Sequence, residues 1–171
     1  MKKKRHYAVW ITGLPGSGKT NIGKHFHKKF EKKYGSTLFF NGDDIRRIFN
    51  IKNFDIKSRK ILSFHYSKFV EFISNQNINI IFTCVAMFDD VRKYNKKNIK
   101  NYKEVYIDSS LDQIIKARKK KLYFKTKKNL VGLDLKVELP NKPDFIVRNN
   151  FKKSIKDLAN ELFLKFTQKT K

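Results

Sequence analysis

The sequence predicts an α/β fold, a mainly parallel five-stranded sheet flanked by helices, and three observations predict it. Short apolar runs alternate with longer stretches of helical period along the chain. The apolar runs are rich in Val, Ile and Phe, which suits central strands covered on both faces. A glycine-rich octet stands where the first strand passes into the first helix.

Strands are expected at Tyr7–Thr12, Thr37–Asn41, Asn79–Val85, Glu104–Ile107 and Phe145–Val147. The first helix should begin at Gly18 or Lys19 and carry Ile22, Phe26 and Phe30 on one side. A second, from about Asp55 to Asn75, repeats Ile61, Phe64, His65, Lys68, Phe69, Phe72 and Ile73 at helical spacing. Ser110 or Asp108 is placed to cap a helix over Leu111 to Lys121. The last helix, about Ser154 to Thr167, turns Ile155, Leu158, Ala159, Leu162, Phe163 and Phe166 inward. The stretch from Tyr123 to Pro140 is basic and has no sustained period, as suits a lid over phosphates; a mobile surface loop is the plainer alternative.

A chain of 171 residues holds one well-buried domain comfortably and two only with difficulty, so residues 1–171 are expected to form a single unit with a lid at about 119–140. Lys2, Lys3, Lys4 and Arg5 resemble the basic start of a signal peptide, but Gly13 to Lys19 interrupts the apolar run that comes after them. With no apolar run of about 18 residues and one cysteine, Cys84, inside an apolar stretch, a reducing cytoplasmic setting is expected. The formal charge of +25 would suit a nucleic-acid binder, yet the lysines are spread over nearly every polar stretch rather than gathered. No dedicated nucleic-acid partner is therefore expected, nor a membrane partner.

The octet is Gly13, Leu14, Pro15, Gly16, Ser17, Gly18, Lys19 and Thr20, the full G-x-x-x-x-G-K-[ST] phosphate-binding pattern between a strand and a helix. Its backbone N–H groups can point inward at phosphate oxygens, Lys19 adds a cation for the β- and γ-phosphates, and the Thr20 hydroxyl can ligate Mg²⁺. The whole is the signature of a three-layer P-loop NTPase fold that binds ATP. After the second strand come Asn41, Gly42, Asp43, Asp44, Ile45 and Arg46 at the carboxyl edge of the sheet, where ligands sit. Asp43 is the candidate for accepting the acceptor hydroxyl's proton or holding Mg²⁺, directly or through water. Asp44 is expected to cap the next helix and Arg46 to meet an anionic substrate. The third strand ends in Thr83, Cys84, Val85, Ala86 and Met87, with no Walker B aspartate, which points away from motor ATPases and GTPases and toward a small-molecule kinase. Arg118, beside Lys120 at the edge of the lid, is a candidate for neutralising charge on the transferring phosphoryl group.

Trp10 to Thr20, Gly42 to Arg46, Glu104 to Asp108, Ala117-Arg118, Lys120-x-Leu122-Tyr123, Gly132-x-Asp134 and Pro140 to Asp144 together resemble the adenylylsulfate kinase family. The resemblance implies phosphorylation of a ribose 3′-hydroxyl, a homodimer, and acceptor contacts from Asp43, Arg46, Phe54 and Arg59, with Lys120 and Leu130 contributed by the lid. The departures fall on the acceptor side. Arg59 is followed by Lys60, Ile61, Leu62, Ser63, Phe64 and His65 where the family has Asn-Ile-Arg-Arg, and the lid's stacking phenylalanine is replaced at about Leu130. The turn after strand three is Ala86-Met87-Phe88-Asp89 in place of Ser-Pro-aromatic-Arg. Losing an aromatic platform and paired hydrogen bonds weakens selection for adenine. The chain is thus similar to the divergent branch acting on cytidine diphosphoramidate in capsular polysaccharide synthesis, with adenylylsulfate as the alternative acceptor.

Overall fold

The computed structural model describes residues 5–53, 55–118 and 137–170. In chain order they form β1 (Ala8–Gly13), α1 (Lys19–Tyr34), β2 (Thr37–Asn41), α2 (Gly42–Ile48), α3 (Ile56–Asn75), β3 (Asn79–Cys84), α4 (Asp89–Asn98), β4 (Tyr102–Asp108), α5 (Leu111–Arg118), β5 (Phe145–Arg148) and α6 (Ile155–Lys169). The strands lie in the order β2-β3-β1-β4-β5 and every neighbouring pair is parallel. The expected α/β architecture is the observed one: a parallel five-stranded sheet between helical layers.

Side chains alternate across the strands, and each face has its own helical cover. Val9, Ile11, Ile81, Val105, Ile107 and Val147 pack with Ile22, Phe26 and Phe30 of α1 and Leu158, Leu162 and Phe166 of α6. Ala8, Trp10, Ile80 and Phe82 face Leu62, Tyr66 and Val70 of α3 and Val91 of α4. Trp10 and Phe82 stack with ring centres 5.3 Å apart. On the other face Phe166 is the hub, 5.2 to 5.8 Å from the rings of Tyr7, Phe26, Phe30, Tyr34 and Phe145. Such ring pairs add about 0.5–1.5 kcal/mol each beyond the area they bury.

The expected face of α3 is corrected in part: Phe64, Phe69 and Ile73 of the expected stripe do pack against the core, but the helix is rotated from that stripe. The residues it buries are Leu62, Ser63, Tyr66, Ser67, Val70 and Ser74, while Ile61 and Phe72 are 49% and 64% exposed. Serines look like surface residues in a sequence. Here Ser63 and Ser67 satisfy their hydroxyls on the Arg59 and Ser63 carbonyls at 2.7 and 3.1 Å, so their small side chains can line a core face. Helix α4 has no counterpart in the expectations, because its inward face includes Arg92 and Asn95, which conceal an apolar period. Strand limits differ by a residue or two. Ser110 does cap α5, accepting the Gln113 N–H at 3.2 Å; the expected continuation of that helix past Arg118 lies outside the described residues.

Among the described residues no helix is long and apolar enough to cross a membrane. Cys84 is a free, buried thiol, and burial pushes its pKa up to about 12.

Candidate active site

The carboxyl ends of β1, β3 and β2 are brought side by side by register. Thr12 pairs with Cys84, and Asn41 pairs with Thr83. Gly13 follows at the end of β1. A Cβ there would lie 2.7 Å from the Ile107 carbonyl oxygen, so only glycine lets the loop leave the sheet this close to β4. Ser17 donates its N–H to the Leu14 carbonyl at 3.1 Å, closing the tip. Gly18, with φ of 92°, is the N-cap residue of α1, and its carbonyl takes the Ile22 N–H at 2.9 Å. Residues 13 to 20 thus wrap the N-terminus of a sixteen-residue helix, whose dipole and first N–H groups attract phosphate. Lys19 is buried, and its Nζ reaches back to the Leu14 carbonyl at 3.5 Å. The hydroxyls of Thr12, Ser17 and Thr83 are buried in the same region without a hydrogen-bond partner among the described residues.

Asp43 sits in the first turn of α2, exposed, with its N–H held by the Asn41 side-chain oxygen at 3.0 Å. Asn41 is therefore the cap, and the expectation that Asp44 would cap this helix is corrected. Asp44 instead accepts from the Asn41 amide at 3.2 Å and pairs with Arg47 at 3.0 Å. An amide already facing the helix end satisfies the N–H at Asp43, which leaves the Asp44 carboxylate to the side chains around it. Gly42 fits α2 against the sheet: a Cβ would stand 3.1 Å from that of Cys84, and the Gly42 carbonyl accepts the buried Tyr66 hydroxyl at 3.0 Å.

Arg46, one turn along, donates both terminal nitrogens to the Asn53 carbonyl at 3.4 and 3.3 Å. Arg59, half-buried in the first turns of α3, has its guanidinium held below the usual range by burial and by Arg46, with Asp55 and Asp43 opposing. Asp43, Arg46 and Arg59 therefore share one electrostatic neighbourhood. Cys84 links it to the loop, because its thiol is lowered by Lys19 and raised by Asp43.

Phe54, Lys120 and Leu130 lie outside the described residues, and Arg118 is placed only as the last described residue of α5. Most of the expected lid, 119–136 of its 119–140, also lies outside them. Its final residues are anchored to the start of α4. Glu138 donates its N–H to Met87 and accepts from the Asp89 N–H, and the Leu139 carbonyl accepts from Arg92.

Sequence reasoning passed over three residues that shape the site: Asn41, Tyr66 and Asn149. Asn149 follows β5 and donates its amide to the Ser17 carbonyl at 2.8 Å. Its position just past a strand's carboxyl end is the signal that could have found it.

Comparison with known proteins gives the family. The adenylylsulphate kinase family model matches residues 5–148. The cytidine diphosphoramidate kinase of Campylobacter jejuni is 32% identical over 95% of this chain and 97% of its own. The probable adenylyl-sulfate kinase of Archaeoglobus fulgidus is 30% identical over 82% of this chain and 94% of its own. The Mycobacterium tuberculosis APS kinase, solved with AMPPNP and APS, superposes with a TM-score of 0.82 at 23% identity, covering 96% of this chain and 99% of that one. The chain belongs to the adenylylsulphate kinase family and is a phosphotransferase acting on a hydroxyl acceptor.

Proposed function

We propose that this member of the adenylylsulphate kinase family transfers the γ-phosphate of ATP to the ribose 3′-hydroxyl of a nucleoside 5′-diphosphate-like conjugate, cytidine diphosphoramidate. The observation that carries the proposal is the near end-to-end match, at 32% identity, to a kinase of that name. The altered acceptor-side residues after Arg59 point the same way, since the ATP-side octet is intact while the stretch that would read the acceptor is not.

In this reaction backbone N–H groups of the Gly13 to Thr20 loop, other than Pro15, which has none, and Ser17, whose N–H goes to Leu14, hold the β- and γ-phosphates together with the Lys19 ammonium. Asp43 takes the proton from the attacking hydroxyl as the new O–P bond forms and the bond to the β-phosphate oxygen breaks, leaving ADP. Arg46 and Arg59 face the conjugate's anionic tail, with Phe54, Lys120 and Leu130 completing the acceptor pocket and Arg118 countering charge on the transferring group. Mg²⁺ takes only one or two protein oxygens beside phosphate and water, and the Thr20 hydroxyl and Asp43 carboxylate suit it, with Thr83 buried close by. When bound, the ion neutralises phosphate charge. A homodimer in the cytoplasm, where ATP is supplied, completes the proposal.

Adenylylsulfate is the second candidate acceptor, favoured by the similarity to the Archaeoglobus fulgidus protein. Parallel coupled ADP-release assays with the two acceptors decide. Faster release with cytidine diphosphoramidate supports the proposal, and faster release with adenylylsulfate replaces it with the alternative. Turnover of nucleoside monophosphates with neither conjugate accepted would overturn both.

A further inference from the structure

We infer that Asn149 is a positioning residue of the phosphate loop: its side-chain amide locks the Ser17–Gly18 peptide with the Gly18 N–H turned toward the bound phosphates. The inference rests on the proposed ATP site, but not on the identity of the acceptor.

A trans peptide points its carbonyl oxygen and its N–H to opposite sides. Whatever grips the Ser17 carbonyl therefore aims the Gly18 N–H the other way. Asn149 Nδ2 grips it at 2.8 Å, in a buried contact between residues 132 positions apart in the chain. The loop itself does not hold this orientation firmly. The peptide turns about ψ of Ser17 and φ of Gly18; Gly18 has φ of 92°, and glycine's freedom in φ makes the opposite peptide orientation accessible at small cost. A flipped peptide would direct a carbonyl oxygen at the phosphates and withdraw a donor from them.

Asn149 is itself held at every hydrogen-bonding group. It is 1% exposed. Its N–H donates to the Asp108 carbonyl at 2.8 Å, and its carbonyl accepts the Ser109 hydroxyl at 2.8 Å. Its Oδ1 accepts the Phe151 N–H at 3.0 Å, which leaves Nδ2 as the atom facing Ser17. Reversing the amide would set an oxygen against the Ser17 oxygen and a donor against the Phe151 N–H, losing both bonds. The ends of β4 and β5 thus form a rigid bracket, and one amide carries its rigidity across to the loop.

Asn149→Asp tests this most narrowly, because it keeps the shape and the acceptor for Phe151 but loses the donor to Ser17. With pyrophosphate and with ATP as probes, the dissociation constants of N149D should rise about 10- to 100-fold, the span expected for losing one charge-assisted contact. The Michaelis constant for the acceptor should stay within about twofold, and N149A should behave like N149D. In ¹⁵N spectra of the wild type, pyrophosphate should shift the Gly18 amide proton downfield, and that shift should shrink in both variants. A merely structural role would lower the unfolding temperature without touching that resonance. Wild-type affinity together with a wild-type Gly18 shift in folded N149D would overturn the inference. If neither variant folds, the wild-type spectrum decides, since a Gly18 amide unmoved by pyrophosphate also overturns it. Wild-type protein that binds ATP but phosphorylates neither conjugate would sink the acceptor proposal and leave this one standing.

Discussion

The Asn41 side-chain oxygen accepts the Asp43 backbone N–H at 3.0 Å, so the carboxylate proposed as base is carried on a capped helix end rather than on a free loop. Asp43 has helical backbone geometry, and its own carboxylate is not used as a cap. If it takes the acceptor's proton, Asp43→Asn should lower kcat by about 10²- to 10⁴-fold, the usual span for removing a general base. The ATP dissociation constant should change far less than kcat, because the phosphates themselves are held from β1 and α1. Near-normal turnover in folded D43N would remove Asp43 from that role.

Asn41→Ala should cost about 0.5–2 kcal/mol of stability through the lost cap, measured as a drop in the urea midpoint. It should also lower kcat/KM, because α2 carries both Asp43 and Arg46. Asn41→Asp keeps an oxygen for the Asp43 N–H and should recover most of the stability. Its added charge beside Asp44, 3.2 Å from the present amide, should leave the kinetic defect in place. An N41A protein as stable as the wild type would show that this bond stabilises nothing.

The phosphate loop was legible because its chemistry is local: eight consecutive residues between a strand and a helix leave few other structures open to them. The strands were legible for a similar reason, since Tyr7 to Ile11 and Ile78 to Val85 are near-continuous apolar runs. The inner face of α3 was not, because Ser63, Ser67 and Ser74 reach the core by bonding their hydroxyls to nearby carbonyls. Asn149 was hidden for a different reason. Its partner Ser17 is 132 residues away, and no local pattern records such a pairing.

Phe166 and Phe72 form a contrasting pair for testing the packing. Phe166 is fully buried at the centre of the aromatic cluster, so Phe166→Ala should cost about 3–5 kcal/mol. Phe72 is 64% exposed although it falls in the apolar stripe that the sequence suggests, and Phe72→Ala should stay within about 0.5 kcal/mol. Chemical denaturation of the two variants measures both. A large loss at Phe72 would show that this face of α3 is covered in solution.

Glu104 predicts a pH dependence. Its side chain is fully buried in β4, and the nearest cations among the described residues, Arg92 Nε and Lys96 Nζ, stand at 4.0 and 3.8 Å, beyond hydrogen-bond length. Burial raises its pKa above the ordinary 4.5. Arg92 and Lys96 oppose the rise, and Asp144 adds to it. A carboxyl whose pKa is higher folded than unfolded binds more protons in the native state across the interval between the two values. Its stabilising contribution is then full below about pH 4.5 and is lost as pH climbs through the raised value. Glu104→Gln preserves the shape and abolishes the titration. The stability of the wild type minus that of E104Q should therefore be greatest in acid, fall as pH rises from 4.5, and level off once Glu104 is ionised. Urea unfolding of both proteins over a pH series measures the difference, and the remaining charges, shared by the two chains, largely cancel. A difference that grew with pH would mean that Arg92 and Lys96 outweigh burial and hold the carboxylate charged below its ordinary range.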